Sequence, residues 1–364
     1  MSTAPTLLTL ITTRWLNVLL LAAPASLLLR WQQGVSLWVF GLAAVSLIPA
    51  AGLIGTATEH LARRSGPTLG GFLNATFGNA AELIIAIAAL RAGHTEVVKA
   101  SITGSIIGNL LLVFGLSCFT GGLRHGRQKF NRISAGSATV MLFLAVVALV
   151  MPALVALISF GSLAAHPAVI DRLSLWSAVV LLAVYACGLV FSFRSQRDPL
   201  RPSPSRHPGP QVGAGTAIAL LAIATVITAV EAEVLIEALQ PALDGLGMSE
   251  LFAGVIIVAL VGNAAEHYSA VTAARDNEMT LALEISVGSS AQIALMVAPV
   301  LVLLSYALGS PMSLVFNAFE IAAIGLSVMA VVLVSGDGES NWLEGAQLLG
   351  VYLILAFAFF IIPG

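Results

Sequence analysis

Glu82 and Glu266 each close the same five-residue word, Gly-Asn-Ala-Ala-Glu, which runs from Gly78 to Glu82 and again from Gly262 to Glu266. Both words lie inside long apolar stretches. At the centre of a membrane helix an ionisable side chain is disfavoured by about 2.5 to 3.5 kcal/mol even on the lenient insertion scale, so the two glutamates must face protein or a water cavity. Three residues before each stands an asparagine, Asn79 or Asn263, on the same helical face, with Thr76 one turn earlier in the first copy. A second element follows at a fixed interval: Gly104-Ser105 lies 26 residues after Gly78, and Gly288-Ser289 lies 26 after Gly262. Two unrelated insertions would not keep that offset, and it marks an internal duplication.

The second element adds neutral polar groups. Ser101, Ser105 and Asn109 recur every four residues along one stripe, and Ser286, Ser289 and Gln292 recur every three. A serine in a membrane helix commonly bonds its own backbone, so the amides of Asn109 and Gln292 are the better candidate ligands. Two carboxylates with amide, hydroxyl and backbone oxygens make a hard, all-oxygen site, without the thiolate or imidazole cluster that would favour zinc or copper. Calcium suits such a set, since it takes 6 to 8 oxygens at about 2.3 to 2.6 Å in flexible geometry; magnesium would resist the dehydration required. Two carboxylates brought together away from water repel one another, and protons can take the cation's place. Competition of that kind is itself an exchange mechanism if the empty, charged site cannot change sides.

The rest of the chain must hold these groups in a membrane. Of 364 residues 58% are hydrophobic and only 9% charged, with a mean hydropathy of +0.98, against roughly 25% charged in an ordinary soluble domain. The expected fold is an all-α polytopic membrane protein. Eleven apolar stretches are long enough to cross a bilayer: approximately 15–31, 35–60, 68–91, 97–121, 133–160, 173–193, 212–238, 250–274, 279–308, 312–335 and 342–363. Several exceed the minimum, which predicts tilted or interrupted helices; none shows the period-two alternation of a membrane barrel. A basic, Pro- and Ser-rich linker at 194–211 divides the chain. Residues 1–33 then carry one extra N-terminal transmembrane helix, 34–193 a first five-helix repeat and 212–364 a second. An odd number of crossings separates the two words, so the repeats are inverted. With the N-terminus in the cytoplasm, twelve of the sixteen basic residues fall on cytoplasmic segments, as the positive-inside tendency requires. The first apolar run lacks a convincing cleavage site and is read as a retained helix. Cys118 and Cys187 have no metal spacing and read as small core residues.

Further acids flank the centre. Glu59 and Glu233 look like loose repeat partners near helix ends and serve equally well as surface salt-bridge residues or as a proton relay. Glu231, Glu237, Glu284 and Glu320 are also embedded in apolar surroundings, and His267 points away from the face of Glu266. There is no HExxH word and no phosphate loop, which argues against an intramembrane enzyme.

The stretches GGFLNATFGNAAELIIAIAAL with GSIIGNLLLVFGL, and GVIIVALVGNAAEHYSAVTAARDNEM with GSSAQIALMVAPVL, closely resemble the two α-repeats of Ca²⁺/H⁺ antiporters of the cation/calcium exchanger superfamily. The resemblance implies eleven helices and a symmetric ion site. Glu82 and Glu266 would coordinate the ion, accompanied by Asn79, Asn263, Ser105, Ser289 and Gln292. The sodium-coupled branch typically carries Ser/Thr-Pro-Glu where this chain has Ala-Ala-Glu, which favours protons as counter-ion. Many relatives have an acidic segment in place of the basic linker, so regulation through such a segment is not expected. The implied function is Ca²⁺/H⁺ exchange by alternating access, with Ca²⁺ and H⁺ as transported ions and no cofactor. A sodium-coupled or manganese-preferring exchanger is the alternative, and a cation channel a further one. The setting is the lipid bilayer, the plasma or inner membrane if the source is bacterial. No nucleic-acid partner is expected, and a homo-oligomer is compatible with the sequence.

Overall fold

In the computed structural model, residues 15–163, 168–194 and 213–362 are described. They form a nearly all-helical protein whose only strands are two residues long. A 3₁₀ segment, Trp15–Leu21, leads into α1 (Ala22–Gln33). α2 (Leu37–Arg64) follows, capped by Ser36, then α3 (Gly66–Phe77) and α4 (Ala80–Arg91). α5 (Thr95–His125), α6 (Arg132–Phe160) and α7 (Ala168–Arg194) complete the first half. The second half comprises α8 (Ala214–Glu237), the short α9 (Leu239–Leu246), α10 (Glu250–Gly262) and α11 (Ala264–Arg275). It ends with α12 (Met279–Ala307), α13 (Ala318–Ser335) and α14 (Trp342–Ile361).

Eight of these helices are long and apolar enough to cross a membrane. The pair α9 and α10, bent by 114°, would make a ninth if taken as one span. The protein is therefore an integral, multi-pass membrane protein. α5 and α12 form its centre, with 78% and 72% of their apolar spans buried, whereas α7 and α14, at 17% and 22%, form its lipid-facing rim.

Two apolar stretches are interrupted where the duplicated word occurs. α3 and α4 are separated at Gly78-Asn79, with Asn79 at φ −106°, ψ 27°; α10 and α11 part at Asn263, at φ −85°, ψ 12°. Another boundary was missed by hydropathy: the stretch from 312 becomes helical only at Ala318. There Asn317 accepts from the Glu320 amide while the Glu320 carboxylate accepts from the Asn317 amide, a reciprocal cap that fixes the start. The two short strands, β1 (Gln128–Lys129) and β2 (Glu339–Ser340), pair antiparallel and tie the α5–α6 loop to the α13–α14 loop. Cys118 is buried as expected, but Cys187 is exposed on α7. A lipid-facing helix is as apolar as a core helix, so composition does not separate the two. The basic linker, from residue 195 onward, and Arg14 lie outside the described residues.

Candidate functional site

The two helix breaks place each glutamate in the first turn of a helix, Glu82 on α4 and Glu266 on α11. The helix macrodipole puts about half a positive charge at such an end, which offsets part of the cost of a carboxylate there. Asn79 and Asn263 occupy the N-cap positions, yet neither side chain caps its own helix. Each reaches across to the other half of the chain.

Asn79 Nδ2 donates to Gln292 Oε1 at 2.6 Å, and its Oδ1 accepts from Ser289 Oγ at 2.9 Å, joining the first break to α12. Asn263 Nδ2 donates to Ser105 Oγ and to the Ala259 carbonyl, both at 2.8 Å, and its Oδ1 accepts from Asn109 Nδ2 at 3.0 Å, joining the second break to α5. Each half thus supplies an asparagine to one pair and a hydroxyl–amide partner to the other. The registers are not identical, since Asn109 lies four residues after Ser105 and Gln292 three after Ser289. π-helical turns at Gly108–Val113 and Ile293–Val297 sit at these points. Such turns insert a residue into the helix and recur at functional sites.

Glu82 is buried, and a Cβ on Gly262 would stand 3.3 Å from its Cγ, so the first glutamate packs directly against the second word. Neither oxygen of Glu82, nor Oε2 of Glu266, nor Oδ1 of Asn109 has a hydrogen-bond partner. A buried polar atom left unpaired costs about 1 to 3 kcal/mol, more for a charged group, so these four oxygens are candidates to hold a cation or protons. Among the described residues no group of three or more His, Cys, Asp or Glu side chains could hold a metal. The candidate site is two carboxylates and neutral oxygens.

A cavity of about 880 Å³ reaches the site. The buried Asn79 and Ser289 and the half-buried Glu266 and Gln292 line it, together with the exposed Glu59, Arg63 and Gly66, which mark its mouth. Glu82 is not on its wall. The cavity separates α3 from α12, whereas the corresponding seam between α10 and α5 is shut. A Cβ at Gly104 would collide with the Val255 carbonyl, while one at Gly288, which holds the equivalent place in the second copy, would meet nothing within 4 Å.

The remaining sequence candidates fall elsewhere. Ser101 and Ser286 bond the backbone of their own helices, at Val98 and Ala282, and Thr76 does the same at Phe72. Glu59 is on the cavity wall but exposed, and it is ion-paired with Arg63. Glu233 is at the surface against Arg91, 3.5 Å away, and is not brought to the cavity. Glu284 does line the cavity. The first copy has Ala100 at the equivalent place, and a cavity open on one side gives the two copies unequal walls.

Two acids at helix breaks, beside asparagines that bond the opposite half of the chain, with a cavity reaching one of them, make a candidate ion site in a multi-pass membrane protein. The pattern of the sodium/calcium exchanger protein family matches residues 35–194 and 216–361, and the chain belongs to that family. It is 43% identical over 365 residues to the Ca(2+)/H(+) antiporter of Synechocystis sp., covering 95% of this chain and 97% of that one. It is 41% identical over 340 residues to the Ca(2+)/H(+) antiporter ChaA of Bacillus subtilis, covering 92% and 94%. The fold superposes on the structure of native YfkE with a TM-score of 0.83 at 39% identity, over 96% of this chain and 100% of the other. The H+/Ca2+ exchanger CAX shares the fold at a TM-score of 0.70 with 16% identity, over 95% and 90%.

Proposed function

We propose that this chain exchanges Ca²⁺ for H⁺ across its membrane by alternating access, with Glu82 and Glu266 binding the cation or protons in competition. The observation that carries the reading is a buried carboxylate, Glu82, packed against the word that ends in Glu266, with three of the four carboxyl oxygens lacking partners and Glu266 on the wall of a cavity. The relatives' names supply the ion pair. Asn109 Oδ1 is the neutral ligand available in this conformation. The oxygens of Asn79, Asn263, Ser105, Ser289 and Gln292 are engaged in the cross-links, and they serve the cation once those bonds rearrange.

The same reading takes eleven crossings: α1, α2, α3 with α4, α5, α6, α7, α8, α10 with α11, α12, α13 and α14. Contacts between loops fit it. Arg30 with Glu237, His94 with Glu250, and Tyr306 with the Asp171 carbonyl all join segments assigned outside. His125 with the Arg275 carbonyl, Gln128 with the Ala274 carbonyl, and β1 with β2 join segments assigned to the cytoplasm with the N-terminus. The repeats are then 34–193 and 212–364 in inverted orientation, tethered by the cytoplasmic linker at 194–211. The shut α5–α10 seam and the open α3–α12 seam are the two states of one equivalent contact, and the cavity faces the cytoplasm. Glu59 and Glu284 are the carboxylates a proton or cation passes first; Glu233 stays a surface partner of Arg91.

Sealed proteoliposomes test the exchange. An imposed proton gradient is expected to drive ⁴⁵Ca uptake, and Glu82→Gln or Glu266→Gln to abolish it with the protein still folded. Uptake driven only by a sodium gradient would assign the protein to sodium-coupled exchange. Normal proton-driven uptake in both variants would remove the two glutamates from the site.

A further inference from the structure

Outside the ion site, Glu231 of α8 is 1% exposed and meets the hydroxyls of two fully buried serines, each on a different helix. Ser26 Oγ of α1 lies 3.0 and 2.8 Å from its two carboxyl oxygens, and Ser46 Oγ of α2 lies 3.0 Å from Oε2. The same hydroxyls are also 2.7 Å from the Ala23 carbonyl and 2.8 Å from the Ala43 carbonyl. If Glu231 is ionised, every partner of the two hydroxyls is an acceptor, and two hydrogens must serve five short oxygen–oxygen contacts. A hydrogen on the carboxyl eases the conflict, giving three hydrogens for the five contacts: Oε2–H donates to Ser46, Ser46 donates onward to the Ala43 carbonyl, and Ser26 donates to Oε1. A hydroxyl offers one donor and two acceptor sites, so a serine that accepts from Glu231 keeps its own hydrogen for its helix.

Of the surrounding charges, Arg30 is the one that attracts an ionised Glu231, and it is shared with a second acid. On α1, Arg30 is already held by Glu237 of α8 at 2.6 Å. On α4, Arg91 is paired with Glu233, and Glu82 belongs to the ion site. Asp244 of α9 accepts from Gln240 at 3.0 Å. The charged residues of α2 are Glu59, His60, Arg63 and Arg64 at its far end; Glu59 is thirteen residues from Ser46, about 20 Å along a helix at 1.5 Å per residue.

We infer that Glu231 is a proton-binding site distinct from the cation site, holding a proton that is not exchanged but fastens α1 and α2 to α8. It goes beyond the exchange reading and does not depend on it. Infrared spectroscopy of the purified full-length protein in lipid nanodiscs, without calcium, reads the proton directly. At neutral pH the wild type is expected to show a protonated-carboxyl stretch that Glu231→Gln loses, the amide being an isostere of the neutral acid. Should that variant fold poorly, Ser26→Ala and Ser46→Ala each remove one hydroxyl and are expected to shift the band. A spectrum unchanged by all three substitutions overturns the inference. In proteoliposomes, Glu231→Gln is expected to keep the wild-type competition between calcium and protons. Loss of that competition would place Glu231 on the exchanged-proton path and overturn the separate role.

Discussion

Asn79 and Asn263 show what a single residue does here. An asparagine after a helix break ordinarily caps the next helix, a contribution of about 1 kcal/mol. Both side chains forgo that bond and instead hold the opposite half of the chain. Asn79→Ala would leave the buried Ser289 hydroxyl and the Gln292 amide oxygen without their partner, and Asn263→Ala would do the same to Ser105 and Asn109. Each is expected to destabilise the protein by about 1 to 3 kcal/mol, read as a lower thermal midpoint in detergent. Each is also expected to weaken calcium binding, because the helix start that carries the adjoining glutamate is no longer tied to the opposite half. Asn263→Asp is expected to be worse for transport than for stability, since it adds a third acid beside Glu82 and Glu266. Calcium affinity that is unchanged in both alanine variants would make the cross-links merely structural. The acids and asparagines were legible because carboxylates inside apolar runs are rare and the word repeats. The partners of the amides were only half legible: spacing put Asn109 and Gln292 on polar stripes, but it did not show that each bonds the asparagine of the other half.

At the scale of elements, the duplication makes the two copies comparable and the structure makes them different. The small residues of the two copies keep their spacing, but only one of the equivalent seams is shut. Gly104 is in contact with Val255, and a Cβ there would force α5 from α10. Gly104→Ala is therefore expected to cost about 1 to 3 kcal/mol, as overpacking does. Gly288→Ala meets open space and is expected to leave the thermal midpoint unchanged. If the seams exchange roles during transport, the added methyl at Gly288 obstructs the state not seen here, so that variant is expected to lose calcium flux while remaining fully folded. Wild-type flux from Gly288→Ala would mean that the α3–α12 seam never closes as its counterpart does. Sequence alone gave no sign of this difference, because identical glycines stand at both places. Eight of the eleven apolar stretches appear as single helices long enough to cross a membrane, whereas helix boundaries depended on caps such as Asn317 with Glu320 that hydropathy ignores. The distinction between core and lipid faces was invisible for the same reason that Cys187 was misplaced.

For the whole molecule, the proposed exchange requires that the ion site communicate with one side of the membrane at a time. The cavity runs from Glu59, Arg63 and Gly66 at its mouth to Glu266 at its end, and the proposed topology sets that mouth on the side of the N-terminus. Ser269 lies on its wall, one turn beyond Glu266, and is exposed. In a background with Cys118→Ala and Cys187→Ala, Ser269→Cys is expected to react with a membrane-impermeant thiol reagent added from the N-terminal side of oriented vesicles, and not from the other. Calcium should slow that reaction if the cation binds at the cavity's end. Because protons compete for the same carboxylates, lowering the pH should raise the calcium concentration needed for protection. Labelling from the opposite side alone would reverse the assigned orientation. Equal labelling from both sides at once would mean a continuous pore, and a pore has no need of two acids that trade one ion for another.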